Sequence, residues 1–198
     1  MATIASPYGL KPVQLIGGQA FSGGTIREVP MTTNSAVGVF SGDTVVLVGG
    51  TALAGTVTPT TTVGATSTPV GVCVGVRYTD PVMKQTLYAQ YLPANAITNG
   101  YTNVFIRVVD DPDCLFQVQA DATTTYAAAV GRNTALTGFS AGSTTTGNSG
   151  VKASVAGLAA TATLAVRVVD VIDSGAAFPD LIVKFNAGVH AYNLGTGQ

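Results

Sequence analysis

The stretch Pro69-Val70-Gly71-Val72-Cys73-Val74-Gly75-Val76-Arg77-Tyr78-Thr79 decides the fold class of this chain. Val70, Val72, Val74, Val76 and Tyr78 share one parity; Gly71, Cys73, Gly75, Arg77 and Thr79 share the other. Period-two alternation is the mark of a strand with one face on a core, here the valine face. The opposite face is nearly bare at Gly71, Cys73 and Gly75. That bareness predicts close approach of another backbone, from within the chain or from a second subunit.

Strand and turn signals continue on both sides. Ala36 to Phe40 and Thr44 to Val48 read as short strands around the turn residues Ser41, Gly42 and Asp43. Thr58 to Thr68 is threonine-rich and reads as an exposed loop, with an edge strand as the alternative. Further strands are expected at Thr86 to Leu92, Asn103 to Val109, Leu115 to Ala120, Thr163 to Val171 and Leu181 to Phe185. Asp121 is placed to cap a short helix, Thr124 to Val130, with Gly131 as its stop. Many short strands with regular turn signals predict an all-β sandwich or barrel with at most one short helix. The Gly/Ser/Thr run from Gly138 to Gly150 divides the chain. The expected organisation is an extended N-terminal arm (1–33), a main β domain (34–137) and a C-terminal β segment or second lobe (138–198).

The arm is interrupted by Pro7, Gly9, Pro12, Gly17, Gly18, Gly23, Gly24 and Pro30, so no helix nucleates there. It nevertheless carries Tyr8, Leu10, Val13, Leu15, Ile16 and Phe21, apolar side chains that must be covered by the chain's own body or by a neighbour.

Composition narrows the function. Charged residues make up 10% of the 198, against roughly 25% in an ordinary soluble domain. Disorder requires low hydrophobicity as well, and 46% of this chain is hydrophobic. A net charge of -1 with scattered Lys and Arg offers no basic stripe for nucleic acid. No apolar run approaches the roughly 18 residues of a membrane span. Met1 to Pro7 has neither a basic nor an apolar signal region, so synthesis without secretion is expected. Cys73 and Cys114 stand in no metal or redox spacing and read as free buried thiols, with a disulfide as the alternative.

Catalytic constellations are missing. The single histidine, His190, excludes a histidine metal cluster, and no Gly-x-Ser-x-Gly elbow accompanies it. No phosphate-binding glycine loop is present. Asp110, Asp111 and Asp113 form the one acidic cluster. It is a weak candidate for Ca²⁺, because Pro112 breaks any EF-hand spacing, and it reads better as a solvated turn. Neither an enzyme nor a cofactor is expected.

Several segments, in order, resemble the head decoration (capsid cement) proteins of tailed bacteriophages. They are Ala5-Ser6-Pro7-Tyr8-Gly9-Leu10-Lys11-Pro12-Val13, Phe40-Ser41-Gly42-Asp43-Thr44-Val45, and Val70 to Val76 leading into Tyr78-Thr79. Asp110-Asp111-Pro112, Phe116-Gln117-Val118-Gln119-Ala120 and Thr145-Thr146-Gly147-Asn148-Ser149-Gly150 follow. The resemblance implies a structural virion protein on the outside of an icosahedral head, assembled in the host bacterial cytoplasm. It implies a homotrimer that binds the major capsid protein and clamps neighbouring capsomers. Tyr8, Leu10, Val13, Leu15, Ile16 and Phe21 are then the arm residues expected to touch capsid, and Gly71, Cys73 and Gly75 a close-packing or subunit face. The rival expectations are a tail tube or head-fibre protein, or a carbohydrate-binding β module, the last weakened by the absence of Trp.

Overall fold

The computed structural model describes residues 4–22, 26–32, 34–48, 56–59, 68–139 and 141–194. Its strands, in chain order, are β1 (Lys11–Leu15), β2 (Ile26–Pro30), β3 (Val39–Phe40), β4 (Thr44–Val48) and β5 (Thr56–Pro59). Then come β6 (Pro69–Thr79), β7 (Thr86–Ala89), β8 (Tyr91–Leu92), β9 (Thr102–Val109) and β10 (Cys114–Gln119). The C-terminal part supplies β11 (Asn133–Thr134), β12 (Leu136–Thr137), β13 (Lys152–Ala153), β14 (Val166–Ile172) and β15 (Asp180–Phe185).

The fold is all-β, and its strand pairs are antiparallel. One sheet has the order β1-β10-β15-β14-β11; the other runs β2-β9-β6-β4-β5, with β7 also on β6. Two short ribbons, β12-β13 and β3-β8, accompany them. The first sheet takes strands from all three segments into which composition divides the chain: β1 from 1–33, β10 and β11 from 34–137, β14 and β15 from 138–198. The fold therefore does not divide at Gly138.

Two cores result. The first lies between the sheets, where Phe116, Val118, Val166, Val168, Leu181, Val183 and Phe185 of one meet Val72 and Val109 of the other. Phe116 and Phe185 meet edge to face with centroids 5.6 Å apart, worth about 1 kcal/mol beyond the area they bury. The second core gathers Val29, Val39, Val45, Val70, Cys73, Val76, Leu92, Ile106 and Val108.

Strand β6 belongs to both cores, which corrects the single valine face expected from its alternation. Val45 faces Gly71 while Val46 faces Pro69, so Val70 is an extra residue on β6. Cys73 faces Val108 while Gly75 faces Arg107, which makes Val74 another. Each bulge turns the following side chains to the opposite face. Val72 and Val74 thus reach the first core, and Val70, Cys73 and Val76 the second.

The helix expected from Thr124 to Val130 is a single turn, Tyr126–Ala129, followed by Gly131 at φ +81°. Asp121 does not cap it. Its Oδ1 accepts the Val155 N–H at 2.8 Å, tying the loop after β10 to the one after β13. The segment 58–68 begins in strand β5; residues 60–67 lie outside the described residues.

Candidate interaction surface

The turn Phe40-Ser41-Gly42-Asp43 is a junction of four chain segments. Gly9 and Gly42 lie backbone to backbone, at φ +77° and +96°. A Cβ on Gly9 would stand 2.7 Å from the Gly42 Cα. Leu10 N–H donates to the Gly42 carbonyl at 3.0 Å, and Gly42 N–H donates to Cys73 at 2.7 Å. Cys73 N–H returns to the Asp43 carbonyl at 2.8 Å, and Ser41 N–H reaches Gly147 at 3.0 Å. The Asp43 carboxylate, 2% exposed, accepts from Phe40 N–H at 2.8 Å and from the Ser149 hydroxyl at 2.5 Å. Burial pushes its pKa up to about 6, although both hydrogen bonds oppose that rise.

The six arm residues separate into two groups. Leu10 is fully buried in the first core, and Leu15 and Phe21 pack against that core. Tyr8 is half-buried. Burial, and then the neighbouring Asp180 carboxylate, raise the pKa of its phenol. Val13 (41%) and Ile16 (53%) stay exposed, the latter beyond the end of edge strand β1. Among the described residues, then, the N-terminal segment is no free arm: β1 pairs with β10, and β2 pairs with β9.

Gly71, Cys73 and Gly75 are buried within the chain. A Cβ on Gly71 would stand 2.1 Å from the Val109 carbonyl oxygen of β9, and one on Gly75 3.1 Å from the Ala89 carbonyl oxygen of β7, so both close approaches come from the same molecule. Cys73 and Cys114 are free thiols in different cores, and burial pushes each up to about 12.

The acidic turn is pulled apart by partners. Asp110 meets Arg27 at 2.6 Å and accepts from the Tyr192 hydroxyl at 3.0 Å. Asp111 accepts the Asp113 N–H at 2.8 Å, and Asp113 pairs with Lys184 at 2.6 Å. These carboxylates therefore do not converge on a shared cation position. Among the described residues no three His, Cys, Asp or Glu side chains are grouped to hold a metal. Burial raises the Asp110 pKa, an effect that Arg27 opposes.

His190 is fully buried between Phe185 and Tyr192. Its Nδ1 accepts the Tyr192 N–H at 3.2 Å, which leaves the ring proton on the buried Nε2, on the side of the Val70 backbone. Burial lowers its pKa. Among the described residues no nucleophile is hydrogen-bonded to it; it seats the turn Ala191–Asn193, whose Tyr192 reaches Asp110 and Arg27.

Two surface features escaped the sequence reading. The β6–β7 turn holds Val82 (85% exposed) and Met83 (66%) in solvent, while Asp80 Oδ1 accepts both of their N–H groups at 2.8 Å. The sequence signal was available, as an apolar pair in a turn flanked by Asp80-Pro81 and Lys84. The second feature is a cleft of about 220 Å³ lined by Ile16, Arg167, Val169, Lys184, Asn186 and Asn193. No family model, curated protein or solved structure matches the chain.

Proposed function

We propose that the chain is a structural virion protein that binds the outer surface of an icosahedral phage capsid, as a trimer, and clamps neighbouring capsomers. One observation carries this reading. Four of the six landmarks that resemble the decoration proteins, weak singly, come from distant parts of the chain and meet at one junction. Tyr8-Gly9-Leu10, Phe40 to Asp43, Gly71 to Cys73 and Gly147 to Ser149 are its four walls. A resemblance concentrated in the residues that lock the fold supports a shared fold, which scattered chance matches would not.

The clamp itself differs from a free arm. With Leu10, Leu15 and Phe21 committed to the body, the capsid contacts fall to Val13 and Ile16 at the β1 edge. A bridge that binds only the assembled lattice stabilises it by linkage, and three copies in one trimer raise the effective concentration of each contact. Electron microscopy of heads from the phage that encodes the chain tests the proposal. Density for the chain between capsomers on the exterior is expected; its location in the tail, or hexameric rings of the purified protein, would overturn it.

A further inference from the structure

Arg167 of β14 and Lys184 of β15 are directly opposed partners in the antiparallel register. Like charges in that relation repel, which destabilises the pair unless a counter-charge offsets it. One offset is visible: Asp113 pairs with Lys184 at 2.6 Å. Arg167 donates through Nε to the neutral Asn133 side chain at 3.1 Å, and its Nη groups have no partner among the described residues. Among the described residues these two cations are also the only charged side chains lining the cleft of about 220 Å³, whose other walls include Ile16, Val169, Asn186 and Asn193. The wall at Ile16 is fixed, because its N–H donates to the Asp113 carbonyl at 2.9 Å.

We infer that this cleft receives an acidic side chain, Asp or Glu, of the protein on which the chain docks. Identifying that protein as capsid rests on the proposed function; the preference for a carboxylate does not. Charge complementarity selects the ligand. Two cations and one carboxylate leave a single positive charge, which one carboxylate neutralises, and the planar Arg fork offers two parallel donors to it. Exposed Ile16 beside the cationic floor gives the stem of an Asp or Glu an apolar surface to lie on. The contact supplies register and partner choice more than raw affinity.

The test uses the intact protein, isotopically labelled for NMR, titrated at low salt with a blocked polyglutamate peptide and separately with inorganic phosphate. The peptide is expected to shift the Ile16, Val169 and Asn186 amides, and to lose that effect near 1 M salt, where the Debye length is about 3 Å. Arg167→Gln and Lys184→Gln each weaken the titration by about threefold, the size of one exposed charge contact. Asp113→Asn, which removes the competing carboxylate, strengthens it by a similar factor. A purely structural role for the pair predicts no gain from Asp113→Asn. Unchanged binding in Arg167→Gln, shifts elsewhere on the surface, or a preference for phosphate over the peptide would each overturn the inference. Head binding separates the two proposals. Peptide binding without head binding sinks the decoration reading alone, and head binding without a peptide response at the cleft sinks the cleft alone.

Discussion

Replacing Asp43 by Asn probes the junction directly. The carboxylate is 2% exposed, and its pKa rises from an ordinary 3.8 to about 6, chiefly through burial. The native state therefore holds a proton between pH 4 and 6 that the unfolded chain has already released. By linkage, the stability contributed by this group is greatest below about pH 4 and falls as pH rises towards about 6. A rise of roughly two units at 1.36 kcal/mol each makes the loss about 3 kcal/mol. Asn keeps the shape and can still accept the Phe40 N–H, but it cannot ionise. Its amide meets the Ser149 hydroxyl less well, at a cost of about 1 kcal/mol at every pH. Asp43→Asn should thus be slightly less stable than the native protein at pH 4 and more stable by about 2 kcal/mol at pH 8. Urea midpoints of both proteins from pH 3.5 to 8 measure the difference, and subtracting one curve from the other removes every other titrating group. A flat difference curve would refute the assignment of a buried, charge-penalised carboxylate to this junction.

Gly71→Ala places a methyl 2.1 Å from the Val109 carbonyl oxygen, with backbone atoms as its nearest neighbours. A loss of about 3 kcal/mol is expected, read as a lower denaturation midpoint, and a loss below about 1 kcal/mol would mean that β6 and β9 separate easily. His190 has the opposite pH sense to Asp43. Burial holds its pKa below the ordinary 6.5, so its stabilisation is present at neutral pH and lost as pH falls through the lowered value. His190→Gln should cost about 1 kcal/mol at pH 7 and abolish this acid-side loss, as paired pH-dependent melts will record. Finally, Cys73 and Cys114 should resist a thiol reagent in the native protein and both react in denaturant, since each is buried with its pKa pushed up to about 12.

Local features were legible in the sequence; register was not. Strands β4 and β6 lie where turn residues and alternation place them, because Ser41-Gly42-Asp43 and the valine repeat act over a few residues. The bulges at Val70 and Val74 depend on how β4 and β9 pair with β6, which periodicity within β6 cannot reveal. Leu10 reads as an arm residue for the same reason. Its burial is set by Gly42, Phe116 and β15, all distant in sequence. Of the candidate surface, Val13 and Ile16 were visible as apolar residues in need of cover. Arg167 and Lys184 look like isolated charges until the β14–β15 pairing sets them opposite each other.

The shortage of charge acquires a more specific meaning once the charges are located. Arg27 with Asp110, Arg77 with Glu28 and Lys184 with Asp113 join segments of the same molecule. Exposed pairs of this kind contribute only about 0–1 kcal/mol each, so the body is held by its two cores. Arg167 is in none of these pairs, and its fork is open in the cleft that exposed Ile16 also lines. A clamp with one such contact per copy is weak alone and depends on repetition. If each copy gains about 1 kcal/mol from its carboxylate, a trimer gains about 3 kcal/mol, roughly a 150-fold change in binding. The salt dependence of head binding should therefore be about three times as steep as that of the single-site peptide titration. Equal slopes would mean that only one copy per assembly is engaged, and the multivalent clamp would have to be abandoned even if the cleft itself binds acid.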